Sequence, residues 1–376
     1  MQIIHLILGK ARPERSNGVT KVAHQLATHQ TRLGHDVSIW GITPTPQEPI
    51  GEREYKTRFF QSIANKLSLD PALKTAIRSL KGQEIMFHLH GGFIPEFQVA
   101  ARLIRKAGLR YSYTAHGAFN PLAMKQGKLR KQLFFTLFER NTLRHAHAVQ
   151  FLGRMEFEGI EQFTQLSHKY LIPNGQDQEE LGEVQRGEPS SDTEKRPVFS
   201  FCGRFMNRYK GLDLLLEAFA QYRRAGGRGI VWLIGDGEDR DLLQTQAQQL
   251  GIAEQVIFWG SKYGTEKLDL LAQSDVFVHP SRSEGFPTSV LEAAGLGLPC
   301  VVSTETNAGE YIASHHSGIH LAQNDVRHIT AALHEMEGHF HKGSLREMGD
   351  NARNMVRDTF NWPRIASLVV DMYQPK

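Results

Sequence analysis

The stretch VFVHPSRSEGFPTSVLE, residues 276–292, decides the fold of this chain. It begins with the apolar run of a buried strand, continues through a polar loop, and ends in an apolar helical pattern. Pro287 suits the first turn of that helix, so Glu284 lies in the loop ahead of it and Glu292 lies one to two turns inside it. A buried strand that passes through a short loop into a helix is the repeating unit of a parallel α/β sheet.

The same alternation of apolar runs and helical patterns extends along both halves of the chain. Strands are predicted at residues 3–8, 37–41, 85–89, 111–114 and 148–152, and again at 198–202, 231–234, 256–258, 276–279 and 300–303. Short connections between strand and helix indicate parallel sheets with helical crossovers. The sequence therefore predicts an α/β protein with two Rossmann-like domains in tandem, joined by a polar junction at 171–197. A terminal helix is predicted to carry an apolar stripe of Ile365, Leu368, Val369 and Met372.

The composition is that of a globular protein large enough for two domains. The chain has 376 residues, 40% of them hydrophobic and 22% charged. No stretch approaches the ~20 continuous apolar residues that a membrane span requires, and MQIIHLILGK at the start is typical of a first strand, not of a signal peptide. Cys202 and Cys300 lie far apart in apolar runs, which favours buried thiols in a reducing compartment. We expect a cytoplasmic protein.

Positive charge is concentrated between residues 102 and 144. This segment contains ten Lys or Arg residues and one acid, Glu139, and phenylalanines and leucines are interleaved with the cations between 128 and 138. Such a pattern is typical of an amphipathic surface for anionic lipid headgroups, which would make the protein peripheral at the inner face of the plasma membrane. A core helix with a solvated basic face explains the pattern equally well. We expect no nucleic-acid partner, because no binding module is recognised.

Four loops that follow strands of the second half carry the chemistry. Ligands bind at the carboxyl ends of strands in open parallel sheets. The loop GRFMNRYKG supplies Arg204, Arg208 and Lys210 beside glycines, a combination suited to a diphosphate. The loops GDGEDR and WGSKYG are glycine-rich turns, and the fourth loop contains Glu284 ahead of helix amides that attract phosphate.

The two glutamates are predicted to lie about a nucleotide's length apart. This disfavours a glycoside hydrolase, in which paired carboxylates straddle one bond at roughly 5–10 Å. It favours one acid that binds the hydroxyls of a sugar, Glu284, and one that binds ribose hydroxyls, Glu292, with phosphates between them.

At this point the residues carry a family resemblance. GRF, KGLDLLLEAF, IGDGEDRDLL, VIFWG and SDVFVHPSRSEGFPTSVLEAAGLGLPCVVS, in this order, resemble the retaining glycosyltransferases of family 4, which have the GT-B fold of two Rossmann-like domains facing across a cleft. NGVTKVAHQLATHQTRLGHDV and IPNG are similar to the same family. The resemblance implies an acceptor-binding domain at 1–173 with a crossover helix at 360–376, and a nucleotide-sugar donor domain at 174–359.

The resemblance also implies roles for individual residues. Arg204 and Lys210 match positions that hold the donor diphosphate, Glu284 matches the acid that contacts the donor sugar, and Glu292 matches the acid that binds ribose. The matches continue with the sugar and phosphate cradle at Gly285, Phe286 and Pro287, the N-terminal loop glycine at Gly18, and, near the reacting carbon, His116. His88 and His90 end a strand on the same side of their domain. They suit an acceptor pocket, a filled core or a metal pair, for which no third ligand is evident.

The leading hypothesis is a retaining transferase that moves a hexose-type sugar from a UDP- or GDP-sugar to a glycan or lipid-linked acceptor. Such a reaction would build a cell-surface polysaccharide: lipopolysaccharide, O-antigen or exopolysaccharide. We expect no metal and no other cofactor, because fixed cations and helix amides can stabilise a departing diphosphate. A transferase with a small soluble acceptor and a catalytically silent nucleotide-sugar binding protein remain as alternatives. The segment 284–292 and the loop GRFMNRYKG argue against a sugar-nucleotide epimerase.

Overall fold

The computed structural model describes residues 1–11, 18–125, 127–182 and 196–374. The chain divides into two compact units, Met1–Asn174 with Trp362–Lys376 as unit 1 and Gly175–Asn361 as unit 2. The division predicted from the sequence, 1–173 with 360–376 and 174–359, differs from this one by one or two residues at each junction. Within the predicted polar junction, residues 183–195 lie outside the described part of the chain.

Unit 1 is built on a parallel sheet of seven strands in the order β3-β2-β1-β4-β5-β6-β7. The strands are β1 (Gln2–Leu8), β2 (Asp36–Thr43), β3 (Lys56–Gln61), β4 (Ile85–His90), β5 (Arg110–Thr114), β6 (Ala148–Phe151) and β7 (Lys169–Leu171). The helices are α1 (Gly18–Arg32), α2 (Pro71–Ser79), α3 (Pro95–Lys106), α4 (Pro121–Lys125), α5 (Lys128–Phe134), α6 (Arg140–His145) and α7 (Arg154–Gly159). A π-helical turn, Phe135–Glu139, joins α5 to α6, and a 3-10 turn, Ile160–Gln162, follows α7.

Unit 2 is built on a parallel sheet of six strands in the order β10-β9-β8-β11-β12-β13. The strands are β8 (Val198–Cys202), β9 (Ile230–Ile234), β10 (Val256–Gly260), β11 (Val276–His279), β12 (Cys300–Val302) and β13 (Gly318–His320). The helices are α8 (Gln178–Leu181), α9 (Asn207–Lys210), α10 (Leu212–Arg224), α11 (Arg240–Gln249), α12 (Gly264–Ala272), α13 (Thr288–Gly295), α14 (Gly309–Ser314), α15 (Val326–Lys342) and α16 (Leu345–Thr359). Two 3-10 turns lie at Ala253–Gln255 and Thr304–Thr306.

The last helix, α17 (Trp362–Met372), packs in unit 1, where it shares a core with α1 and β1. Ile365, Val369 and Met372 are buried as predicted, but Leu368 is 38% exposed. Trp362 and Tyr373 are buried instead. The predicted stripe was therefore wrong at Leu368, because the buried face continues through residues 362, 365, 366, 369, 370 and 373.

The predicted α/β class with two parallel sheets is confirmed. Cys202 and Cys300 are buried free thiols, as the sequence predicted. In both sheets the strand order reverses beside the first strand, between β1 and β4 in unit 1 and between β8 and β11 in unit 2. Loops that leave such neighbouring strands in opposite directions open a crevice at their carboxyl ends, which is where open α/β sheets bind ligands.

Candidate functional site

Two loops meet at the strand-order reversal of unit 2. One follows β8 and contains α9, and the other follows β11 and leads to α13. Arg282 of the second loop makes a bidentate ion pair with Asp213, at 2.7 Å for each contact, and also donates to the Asn207 carbonyl at 2.6 Å. Gly211 has φ +65°, and a Cβ there would lie 2.1 Å from the Pro280 carbonyl oxygen. The close approach of the two loops therefore requires glycine at this position.

Glu284 lies at the centre of this loop pair. Its Oε1 accepts hydrogen bonds from the Lys210 ammonium, from Nε2 of His279 at 3.0 Å and from the Ser281 hydroxyl at 3.1 Å. Burial would raise the pKa of Glu284, but the Lys210 charge and the His279 contact outweigh it and hold the pKa at about 2. The carboxylate is therefore ionised throughout the neutral range.

His279, the last residue of β11, donates to Glu284 as a neutral imidazole. Burial lowers its pKa, with Glu284 acting in the opposite direction. Its Nδ1 is buried without a hydrogen-bond partner among the described residues. Asn307 donates from Nδ2 to the carbonyls of Glu284 and Gly285, at 3.0 and 2.8 Å, and so fixes the backbone of the loop.

Helix α13 begins at Thr288, directly after Pro287. Glu292 lies one turn inside, with a side chain that is 5% exposed and paired with Lys267 at 2.7 Å. Phe286 is buried against Phe360, with ring centroids 5.3 Å apart, and this packing holds the loop that precedes the helix.

The loop after β8 presents both charge and unsatisfied polarity. Arg204 is exposed and makes no ion pair within the described part of the chain. The side-chain Nδ2 and Oδ1 of Asn207 are buried and lack partners there as well. Buried polar atoms are normally hydrogen-bonded, so Asn207 has the chemistry of a residue that waits for a ligand.

Two predicted site residues lie in unit 1. Gly18 is the first residue of α1. His116 follows β5 in the left-handed conformation, with φ 54°, and its Nε2 lies 3.0 Å from Nδ1 of His90. Burial lowers the pKa of His116 to about 4, so its imidazole is neutral.

The sequence left His88 and His90 without a third ligand, and the structure places His5 beside them. Ring nitrogens of the three buried side chains lie within 4.8 Å of one another. All six nitrogens, however, have protein hydrogen-bond partners. A metal ion would have to displace these bonds. His5 could have been identified from strand pairing, because β1 and β4 align His5 with His88.

The structure brings Lys210 and Glu284 together and places Arg204, Gly285, Phe286, Pro287 and Glu292 around the same two loops, whereas Gly18 and His116 belong to the other unit. Sequence reasoning missed four partners: Lys267, His279, Ser281 and Arg282. Only His279 had a signal, as the residue at the carboxyl end of a predicted strand. None of the described helices is long and apolar enough to cross a membrane.

Two family models match the chain. Residues 16–180 match Glycosyltransferase Family 4 and residues 186–355 match Glycosyl transferases group 1. Among curated relatives, a glycogen synthase of Mycobacterium tuberculosis is 28% identical over 164 residues, which cover 44% of this chain and 39% of the relative. A GDP-mannose-dependent phosphatidylinositol monomannoside mannosyltransferase of Mycolicibacterium smegmatis is 29% identical, with 44% and 45% covered. A lipopolysaccharide core biosynthesis glycosyltransferase of Rhizobium meliloti is 33% identical, with 37% and 39% covered. These matches span less than half the length of each relative.

Solved structures match over the whole chain. The structure of Anabaena HepE in complex with UDP has a TM-score of 0.74 and 17% identity, and the match covers 99% of both chains. At this identity the likeness concerns the fold, which is the predicted GT-B fold.

Proposed function

This chain belongs to the group 1 glycosyltransferases of family 4, and from that premise we propose that it transfers a hexose-type sugar from a UDP- or GDP-sugar. The observation that carries the proposal is the ionised Glu284 held by Lys210 and His279 where β8 and β11 end. A buried carboxylate of fixed charge suits the hydroxyls of a donor sugar, and the neighbouring cations suit its diphosphate.

The donor's diphosphate would take the Lys210 ammonium from Glu284 and add Arg204, while the first amides of α13 face its oxygens. Glu292 would accept hydrogen bonds from ribose hydroxyls. These fixed cations and dipoles supply charge stabilisation that other transferases obtain from a metal, so we propose a metal-independent reaction without a cofactor.

For the chemical step we propose retention by same-face attack. The acceptor oxygen forms its bond to the anomeric carbon as the bond from that carbon to the diphosphate breaks. The acceptor's proton passes to the departing phosphate oxygen. Glu284 then binds and stabilises charge without forming a covalent bond, and His116 lies near the reacting carbon.

For the acceptor we propose a glycan or lipid-linked glycan of the cell surface. The named activities of the mannosyltransferase and the lipopolysaccharide relatives support this, as does the basic, aromatic segment of unit 1. The same segment supports a peripheral contact with an anionic membrane at its cytoplasmic face.

Thermal unfolding with UDP-, GDP- and ADP-sugars in EDTA tests the donor site, because a ligand that binds the folded state raises the midpoint. We expect a shift with one nucleotide, lost in Lys210→Ala and kept in Lys342→Ala, which removes an exposed lysine at the end of α15. No shift with any donor, or an equal shift in both variants, would contradict the proposed donor site. NMR of the transferred sugar's anomeric proton then decides between retention and inversion.

A further inference from the structure

A continuous chain of buried hydrogen bonds crosses the sheet of unit 1 beneath His116. Its direction can be read from one end, because a backbone carbonyl can only accept. Gln150 donates from Nε2 to the carbonyl of Ile172 at 2.9 Å, so its Oε1 faces Thr114. That oxygen must accept the Thr114 hydroxyl hydrogen, at 2.8 Å.

The next links follow from this commitment. Because the Thr114 hydrogen is used, the 2.6 Å contact between Thr114 and His88 requires a hydrogen on Nε2 of His88. A neutral His88 then accepts at Nδ1, and the donor is the Tyr373 hydroxyl at 2.6 Å. Tyr373 has no second hydrogen, so the Gln30 amide nitrogen donates to its oxygen at 3.5 Å.

The Gln30 amide passes the direction to the other histidines. Its Oε1 accepts from Nε2 of His5 at 2.7 Å, which leaves Nδ1 of His5 as an acceptor. His90 therefore donates from Nε2 to His5 at 2.8 Å and accepts at Nδ1 from His116, at 3.0 Å. Each imidazole carries its hydrogen on Nε2.

We propose that this chain, anchored at the Ile172 carbonyl, holds His116 as its Nε2–H tautomer and makes Nδ1 the atom offered to substrate. Nδ1 of His116 makes no hydrogen bond to any residue that the structure describes. A neutral imidazole nitrogen without hydrogen can only accept, so its partner is a hydroxyl group that donates, as a sugar hydroxyl does. The substrate contact rests on the proposed function, whereas the tautomer does not.

Burial supports a chain of neutral rings. His5, His88, Gln30 and Tyr373 are 0% exposed and His90 is 1% exposed. Burial lowers the pKa of His5 to about 4, and it lowers the pKa of His88 and His90 well below the ordinary range. Reversing every donor would place the Gln150 amide oxygen against the Ile172 carbonyl, a contact between two acceptors.

The direct test is ¹⁵N NMR of the imidazole nitrogens in the full chain labelled at histidine, at pH 7.5. We expect His116 to show a protonated Nε2 and an unprotonated Nδ1, with its signals assigned by their loss in His116→Asn. A protonated Nδ1 or an imidazolium at His116 would overturn the proposal. One bound zinc per chain by elemental analysis would also overturn it, because the metal would take the nitrogens that form the chain.

Matched variants test the relay itself. Tyr373→Phe removes the hydroxyl that orients the Gln30 amide, so the opposite tautomer of His116 should become populated. Tyr111→Phe deletes a hydroxyl that donates to the Thr142 carbonyl, a buried bond outside the chain, and should leave His116 unchanged. Equal spectra for the two variants would contradict the relay.

Activity tests the substrate contact separately. The Asn Oδ1 is as far along the side chain as Nδ1 of histidine, and asparagine tolerates the left-handed backbone of residue 116. We therefore expect His116→Asn to retain more sugar transfer than His116→Leu, with a difference of at least tenfold in kcat/KM. Equal activity of the two variants, with donor binding intact, would overturn the contact and leave the proposed donor site standing.

Discussion

At the residue scale, Glu284 shows how the loop pair stores electrostatic free energy. Its pKa is about 2 in the fold against 4.5 as a free side chain. A carboxyl group with a lowered pKa stabilises the fold above its ordinary pKa, and this contribution is lost as the pH falls from 4.5 towards 2. Most of the lowering comes from Lys210, so the pair is the place to measure it.

We predict that Lys210→Met lowers the free energy of unfolding by about 2–3 kcal/mol at pH 7, because it leaves a largely buried carboxylate without its cation. Urea unfolding measures the change, and Lys342→Met is the control for a lost surface charge. The difference from the natural chain should shrink below pH 4.5, where Glu284 no longer depends on Lys210. A difference independent of pH would contradict this account.

Several site residues could be predicted because a short segment of sequence determines their place. Glu284, Pro287 and Glu292 follow one strand within a few residues, so the strand–loop–helix pattern located them. Lys267 and Ser281 have ordinary sequence neighbours, and their roles arise from pairing across the fold. The partners of Glu284 and Glu292 were therefore invisible to a pattern that extends along the chain.

At the element scale, the π-helical turn Phe135–Glu139 directs a carboxyl group into the core of unit 1. Glu139 is 0% exposed and accepts from the Tyr113 hydroxyl, the Phe93 amide at 3.3 Å and Gln98 at 2.7 Å. Burial raises its pKa to about 7, against the lowering effect of these donors. The one acid of the basic segment is thus an internal group.

A raised pKa means that Glu139 stabilises the fold fully below pH 4.5 and that this contribution is lost as the pH rises towards 7. We predict that Glu139→Gln removes part of this dependence, up to about 1.4 kcal/mol per pH unit between pH 5 and 7. Denaturant unfolding across that range measures the slope. Glu158→Gln, at an exposed site, should keep the natural slope, and a shared slope would contradict the assignment. His5 and His116 have the opposite dependence, which cancels in the comparison of variants.

Helix α5 and the turn after it expose three leucines on one stripe. Leu129, Leu133 and Leu137 are 83%, 61% and 56% exposed, among cations of the same segment. Phe135 is buried, so the segment serves both the core and a surface. The two interpretations left open by the sequence are therefore both met, each by a different face.

We predict that the chain cosediments with anionic vesicles at low salt and is released at high salt. Leu129→Asp with Leu133→Asp should weaken binding at least tenfold, because each buried leucine contributes about 1.5–3 kcal/mol. Leu242→Asp, at a leucine of unit 2 that is 60% exposed, is the control. Equal binding of the two proteins would contradict a membrane contact through this stripe.

The strands that the sequence did not predict share one position. β3, β7 and β13 lie at sheet edges, and their side chains are mostly half-buried or exposed. A strand covered on both faces has a continuous apolar run, whereas an edge strand of a few residues does not. Interior strands were therefore predictable, and edge strands depended on neighbours far along the chain.

At the scale of the whole molecule, the chain builds two cores and closes the first one last. The core of unit 2 is formed within residues 175–361, but the core around β1 and α1 is completed only by α17. Trp362 is 2% exposed and stacks on His29, with ring centroids 6.5 Å apart. Residues 360 positions apart thus stabilise one sheet, and the same helix brings Tyr373 to His88.

We predict that Trp362→Ala lowers the free energy of unfolding of unit 1 by about 3–5 kcal/mol, the usual cost of a large buried side chain. Leu368→Ala, on the exposed side of the same helix, should cost less than about 1 kcal/mol. Because each core lies within one unit, a nucleotide-sugar should still raise the unfolding transition of unit 2 in the Trp362 variant. Calorimetry with and without donor measures both transitions. If the variant lowered both transitions equally and abolished the donor's effect, the two cores would unfold as a single cooperative unit, and the donor site would depend on the helix that completes the other domain.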